Sequence, residues 1–352
     1  MQKTFLPWRP LMPKFAMFFL ATFAAWAAHA QDGQQRAAVA ARTLVGSPAP
    51  AVVLHTIDGK TIDLSKVIGK KAIYLKFWAT WCVPCREQMP HLERVYEQAG
   101  DDLEVVAIDV GYDDSVARVR ELQKQVGLRM PIVFDDGSLG TAFNVQVTPQ
   151  HIVIGRDGRI QYVGHAANAQ LDAALLAARR APTAGAVAMT TFTDLPALAV
   201  GDAIPALPAP ALASDLPGRK ADAAGRPTVL FFLSPWCESY LAQKRDGSRP
   251  EVAAECRSAR EQVDALSRAR PDIHWVGIAS RLWTSQQDLI DYRKQTHIAM
   301  PIVLDETGEL FRRFRVVHEP TFIVTDAQGR IVRRIDRIDA QLSTQLVAPK
   351  TP

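Results

Sequence analysis

The sequence predicts an α/β protein built from two tandem domains, each a central mixed sheet flanked by helices. Three observations carry that expectation. The chain has 352 residues, more than one ordinary hydrophobic core accommodates. A series of short landmarks occurs twice in the same order. Within each copy, apolar strand-like runs alternate with amphipathic helix-like runs, the pattern of a sheet with at least one parallel pair.

The duplication is legible by eye. Val45-Gly46-Ser47-Pro48 precedes Cys82 by 37 residues, and Val200-Gly201-Asp202 precedes Cys237 by the same 37. Met130-Pro131-Ile132-Val133 returns 170 residues later as Met300-Pro301-Ile302-Val303. Thr148-Pro149 corresponds to Glu319-Pro320, and Asp157-Gly158-Arg159-Ile160 to Gln328-Gly329-Arg330-Ile331, both 171 residues on. Several landmarks in one order indicate a repeat rather than coincidence. The offset grows because the second copy carries an insertion, Gln243 to Glu255. The expected domains are residues 44–180 and 200–345, joined by a linker over 181–199 that is small, polar and without helical periodicity.

In the first copy, Thr56 to Leu64 reads as a hairpin with Asp58-Gly59 as its turn. Ala72 to Trp78 is an apolar strand, Glu87 to Gln98 a helix, and Leu103 to Val110 a second strand. An amphipathic helix follows over Ser115 to Val126. Pro131 to Phe134 and His151 to Gly155 are further strands, Arg156-Asp157-Gly158 a tight turn, and Leu171 to Arg180 a closing helix.

Residues 1–30 stand apart. Their only charges are Lys3, Arg9 and Lys14, followed by the apolar run Phe15 to Ala27 and the small residues of Ala28-His29-Ala30. That order is the signature of a secretory signal, with Gln31 starting the mature chain and the periplasm as destination. An uncleaved membrane anchor is the rival reading, although the run is shorter than the about 20 residues a spanning helix needs. Removing three positive charges takes the net charge from +4 to +1. A nucleic-acid partner therefore has no compositional support. All four cysteines (Cys82, Cys85, Cys237, Cys256) lie in the exported part, where thiols are paired unless something reduces them.

The stretch FWATWCVPCREQMP (Phe77 to Pro90) carries the chemistry. Cys82 falls where a buried strand ends and a helix begins, and Pro84 is tolerated early in that helix because its missing N–H has no intrahelical partner. Unpaired N–H groups at a helix start favour a thiolate at Cys82. The thiolate is the attacking species in disulfide exchange, and Cys85, one turn deeper, is placed to resolve the mixed disulfide. A zinc site wants four ligands, whereas this half offers two cysteines and scattered histidines (His55, His91, His151, His165) without ligand pairing. Covalent haem attachment needs histidine directly after the second cysteine, where Arg86 stands. A structural bridge closing so small a loop would stabilise little. Neither a metal nor a cofactor is expected.

These residues, with Val147-Thr148-Pro149 and the VGSPAP entry (Val45 to Pro50), resemble the TlpA/ResA/DsbE group of exported thioredoxin-like proteins over about residues 44–180. The second half resembles the same fold more weakly. The resemblance implies two thioredoxin-like folds, thiol–disulfide exchange in the reducing direction, and a cis bond before Pro149. It also implies that Thr148 offers backbone hydrogen bonds to an extended substrate peptide beside Trp81 and the cysteines. A DsbD-like membrane electron donor is the implied partner, with disulfides of exported proteins as substrates, for example in cytochrome c or copper-centre maturation. Two departures bear on proton handling. Lys76 stands where thioredoxins carry a buried acid; it either has a lowered pKa through burial or snorkels to solvent. Gln88 replaces a glutamate common in the group, and Glu87 points elsewhere on the helix.

The second copy, FFLSPWCESY (Phe231 to Tyr240), has Tyr240 where the resolving cysteine belongs. A Cys237–Cys256 disulfide is expected from compartment and proximity, worth about 3 kcal/mol for its loop length. Two alternatives stay open: a redox-active Cys237–Cys256 pair, and a peroxide-reactive Cys237, for which Pro235 is misplaced. The reading is thus an exported protein disulfide reductase with a degenerate second domain; the rival class is a scaffold whose disulfides stay oxidised.

Overall fold

A computed structural model describes residues 32–183, 187–193, 195–208, 225–338 and 341–346. The expected signal segment, residues 1–30, lies outside the described residues, and no described helix is long and apolar enough to cross a membrane.

Two five-stranded mixed sheets form the framework. The first runs in the order Ile132–Phe134, Leu103–Asp109, Ala72–Trp78, Gln150–Ile154, Ile160–Gly164, and the second in the order Ile302–Asp305, His274–Ser280, Thr228–Leu233, Thr321–Thr325, Ile331–Ile335. In each sheet the first three strands are mutually parallel, the fourth is antiparallel to the third, and the fifth is antiparallel to the fourth. The central strands, Ala72–Trp78 and Thr228–Leu233, are buried at every position. Helices cover both faces, so these strands read as continuous apolar runs rather than alternating ones. In the second sheet, Val229, Phe231 and Leu233 enter one apolar cluster while Leu230 and Phe232 enter another, the two-residue period of a strand with a core on each side.

The repeat extends to helix ends. Helix Val116–Val126 starts on Ser115, whose side chain accepts from Arg118 N–H, and stops at left-handed Gly127. Its counterpart Gln286–Thr296 starts on a capping box of Ser285 and Asp288 and stops at left-handed His297.

Local structure departs from the sequence reading in five places. The hairpin strands are Val53–His55 and Thr61–Asp63, and Thr56 to Lys60 forms the turn, closed by Thr56 N–H donating to Lys60 O at 2.9 Å. The expected helix Glu87–Gln98 is two helices, Val83–Glu87 and Met89–Glu97, meeting at Gln88; Pro90 has no N–H to continue the ladder. Thr190–Thr191, inside the expected linker, pairs with Pro50–Ala51. Part of the insertion belongs to a 20-residue helix, Pro250–Ala269. Residues 32–44 form a further alanine-rich helix. Arg36 on it binds Asp288 of the second domain at 2.9 Å, while Gln34 Oε1 accepts from His165 N–H of the first at 3.3 Å.

Candidate active site

The buried strand Ala72–Trp78 delivers the chain to Trp81 and Cys82 at one end of the first sheet. Cys82 has extended backbone and caps helix Val83–Glu87, its Sγ accepting from Cys85 N–H at 3.3 Å, with Pro84 in the first turn. Cys82 and Cys85 form a disulfide with Cα atoms 5.2 Å apart. Phe77 pairs with Gln150, so the Thr148-Pro149 loop just before Gln150 reaches the same end of the sheet. The bond before Pro149 is cis, as is that between Glu319 and Pro320.

Beneath the couple lie groups that a helix–sheet interface seldom buries. Lys76 is fully buried; it does not snorkel. Its Nζ donates to Cys85 O at 3.1 Å and lies 3.9 Å from Met89 Sδ. Desolvation lowers its pKa to about 7. Next to it in the sheet, His151 belongs to a chain of hydrogen bonds. Ala167 N–H donates to Gln88 Oε1 at 3.0 Å, which fixes that atom as the carboxamide oxygen. His151 therefore donates its Nε2–H to Gln88 Oε1 at 2.8 Å and accepts from Tyr74 Oη at Nδ1, also at 2.8 Å. Burial first, and the Lys76 charge second, hold His151 well below the usual imidazole range. His165 Nδ1–H donates to Pro149 O at 2.8 Å and ties the network to the loop.

Sequence reasoning passed over the roof of this site. The equivalent end of the second domain is docked face to face upon it. Trp236, the residue before Cys237, packs on Trp81, the residue before Cys82, with ring centroids 5.1 Å apart. Tyr240 Oη accepts from Val83 N–H at 3.3 Å. Gly247, at φ +85°, lies so close that a Cβ there would be 3.1 Å from the Cα and O of Trp81. Arg249 donates to Thr80 Oγ1 at 2.9 Å, and Arg86 pairs with Asp246. Two backbone hydrogen bonds are exchanged across the interface. Asp113 N–H donates to Val317 O at 2.7 Å, and Trp283 N–H donates to Gln146 O at 2.9 Å. Asp113 and Trp283 are 170 residues apart, and Gln146 and Val317 are 171 apart, the offsets of the repeat itself. The two domains therefore meet as the halves of an isologous dimer do, each offering the same patch. Trp283 Nε1–H also donates to Thr148 Oγ1 at 3.2 Å. Cys82 is left 1% exposed, and Cys85 and Thr148 0%.

In the second domain Cys237 and Cys256 form a disulfide, and none of the four cysteines is free. Cys237 lies on the short helix Cys237–Tyr240 and Cys256 on helix Pro250–Ala269. Glu319, at the place of Thr148, is buried beside them. Burial, then the neighbouring Asp113 carboxylate, pushes its pKa up to about 8. The signal for the roof was present in the sequence: an aromatic residue before the key cysteine in both copies.

A family profile described as Redoxin matches residues 44–175. A thiol-disulfide oxidoreductase ResA from Bacillus thuringiensis is 32% identical over 133 residues, covering 36% of this chain and 75% of the relative. The ResA of Bacillus subtilis is 35% identical over 117 residues, covering 33% of this chain and 64% of the relative. The crystal structure of a thiol:disulfide interchange protein of the thioredoxin family from Chlorobium tepidum is 29% identical, covers 38% of this chain and 96% of its own, and has a TM-score of 0.35.

Proposed function

Since the chain belongs to the ResA-type thiol–disulfide oxidoreductases of the Redoxin group, we propose that Cys82 and Cys85 are its exchange couple, working as a reductant of disulfides in exported proteins. The observation that carries this is the Cys82 Sγ at a helix start, accepting from Cys85 N–H at the sheet end that also bears Thr148-Pro149. In the reduced state that N–H and the helix start favour the Cys82 thiolate. The thiolate attacks one sulfur of a substrate disulfide, forming a mixed disulfide and releasing a substrate thiolate. Cys85, losing its proton, attacks Cys82 Sγ; the intramolecular disulfide forms and the second substrate thiol leaves. Two electrons pass to the substrate; the proton lost by Cys85 and the one lost earlier on forming the Cys82 thiolate balance the two taken up by the substrate thiolates. Lys76, with its pKa lowered to about 7 and bonded to the Cys85 carbonyl, is the buried base beneath this second step.

The second domain acts as a cover. With Cys82 at 1% exposure, a protein disulfide reaches it only after Trp236, Tyr240 and Trp283 lift away. An extended substrate then lies along Gln146–Thr148, where Trp283 now bonds. Export to the periplasm, a DsbD-like donor that re-reduces the couple, and substrates such as proteins of cytochrome c or copper-centre maturation complete the proposal. The same burial favours one rival, an oxidised scaffold. Insulin reduction with dithiothreitol as donor decides between them. Wild type accelerates precipitation, Cys82→Ser lowers the rate at least about 100-fold, and Cys237→Ser keeps it. Wild type indistinguishable from Cys82→Ser sinks the reductase reading; loss of activity in Cys237→Ser sinks the passive-cover role.

A further inference from the structure

Cys237, Cys256 and Glu319 bring two sulfurs and a carboxylate oxygen within 4.8 Å of one another. Three separate elements supply them: the helix start after strand Thr228–Leu233, the helix Pro250–Ala269, and the loop before Pro320. The donors are therefore held by the fold rather than by one flexible loop. Glu319 is 2% exposed. Its Oε1 accepts from Ser234 Oγ at 3.1 Å, while its buried Oε2 has no hydrogen-bond partner. A buried carboxyl oxygen with no partner needs an explanation, and a bound cation supplies one. Nearby cations are engaged elsewhere: Arg260 on Glu238 at 2.8 Å and His318 on Asp113 at 3.4 Å.

We infer that the Cys237–Cys256–Glu319 cluster is a redox-gated zinc site, closed while the disulfide is intact and formed when it is reduced. An external dithiol opens the bridge: its two sulfurs join, Cys237 and Cys256 each gain an electron and a proton, and atoms and charge balance. Zinc(II) then displaces the two thiol protons and the Glu319 carboxyl proton, all three passing to solvent, and takes two thiolates and the Glu319 Oε2. Thiolate and carboxylate oxygen are both ordinary zinc ligands, and Zn–S bonds of about 2.3 Å in a tetrahedron place two sulfurs about 3.8 Å apart. Side-chain rotation on Cα atoms 6.3 Å apart reaches that spacing. A small cavity lined by Ser234, Cys256, Tyr292 and Glu319 adjoins the site. Without a cation, reduction leaves two thiols and a carboxyl group buried together; with zinc, the negative charges are neutralised where they stand. Re-oxidation of the sulfurs expels the metal.

This site is independent of exchange at Cys82, and its test removes that couple. In a full-length Cys82→Ser/Cys85→Ser chain the only thiols are Cys237 and Cys256. Reduced with a phosphine, desalted without oxygen and titrated with zinc against a chromogenic chelator, it binds one equivalent; the unreduced protein binds none. Cobalt(II) in place of zinc gives a sulfur-to-metal charge-transfer band. Glu319→Gln, which preserves shape, lowers the association constant about tenfold or more. No stoichiometric binding by the reduced chain overturns the inference. So does equal affinity in Glu319→Gln, because two thiols of a loosened chain would bind zinc without that carboxylate.

Discussion

The two domains share strand order, helix caps and a cis-proline loop, yet they differ where chemistry is done. In the first, both cysteines lie on one turn of helix Val83–Glu87, over a buried lysine. In the second, Tyr240 takes the resolving position and bonds across to Val83 N–H, while the partner sulfur comes from the following helix, Pro250–Ala269, and the nearby buried group is an acid. The fold tolerates either arrangement because the sheet end is built by backbone geometry common to both. The aromatic residues preceding the first cysteine of each copy, Trp81 and Trp236, form the contact between the two faces.

The comparison breaks most visibly at Lys76. An unfolded lysine titrates at about 10.4, whereas Lys76 in the fold titrates at about 7. Between those values the unfolded chain binds more protons than the folded one, so stability rises with pH across that window. Below about pH 7 the full cost of burying the ammonium is present. Urea unfolding of wild type and Lys76→Met from pH 6 to 10 should show the variant more stable at the acid end, by on the order of 4 kcal/mol, with the gap closing as pH rises. A constant gap would mean that the pKa of Lys76 is the same in the fold as in the unfolded chain.

The second disulfide offers the next largest effect. Cys237→Ala/Cys256→Ala should lower the unfolding free energy of the second domain by about 3 kcal/mol, measured by denaturant titration under non-reducing conditions. An unchanged midpoint would show that helix Pro250–Ala269 is held by packing alone. The smallest effect concerns the cover. Gly247→Ala adds a Cβ 3.1 Å from Trp81 at a φ of +85°, costing about 1 kcal/mol or more. Alkylation of Cys82 in the reduced protein should then run several-fold faster than in wild type; an equal rate would show that docking does not limit access.

Much of this was legible in advance. The repeat, the α/β class and the Cys-x-x-Cys at a helix start follow from local pattern, because strand period, capping and turn residues act over a few positions. Three features lay beyond that reach. The split at Gln88 depends on how Pro90 competes with helix continuity. The linkage of Tyr74, His151 and Gln88 joins residues far apart in sequence, so His151 looked like a stray histidine. The docking of Trp236 and Trp283 over Cys82 and Thr148 depends on how two finished domains meet; the aromatic residue before the key cysteine in each copy is its sign in the sequence, but no spacing within either copy specifies the contact. Residues 32–44 were missed for a different reason: their helix lies between the expected signal and the first recognisable landmark, where no motif invited a reading.

The reduction potential of Cys82–Cys85 tests the central claim most directly. Equilibration of the Cys237→Ala/Cys256→Ala chain with a dithiol buffer isolates the first couple. The account predicts a reversible two-electron couple near thioredoxin's value, about −270 mV; a couple near −120 mV, or one that never exchanges with the buffer, would contradict it.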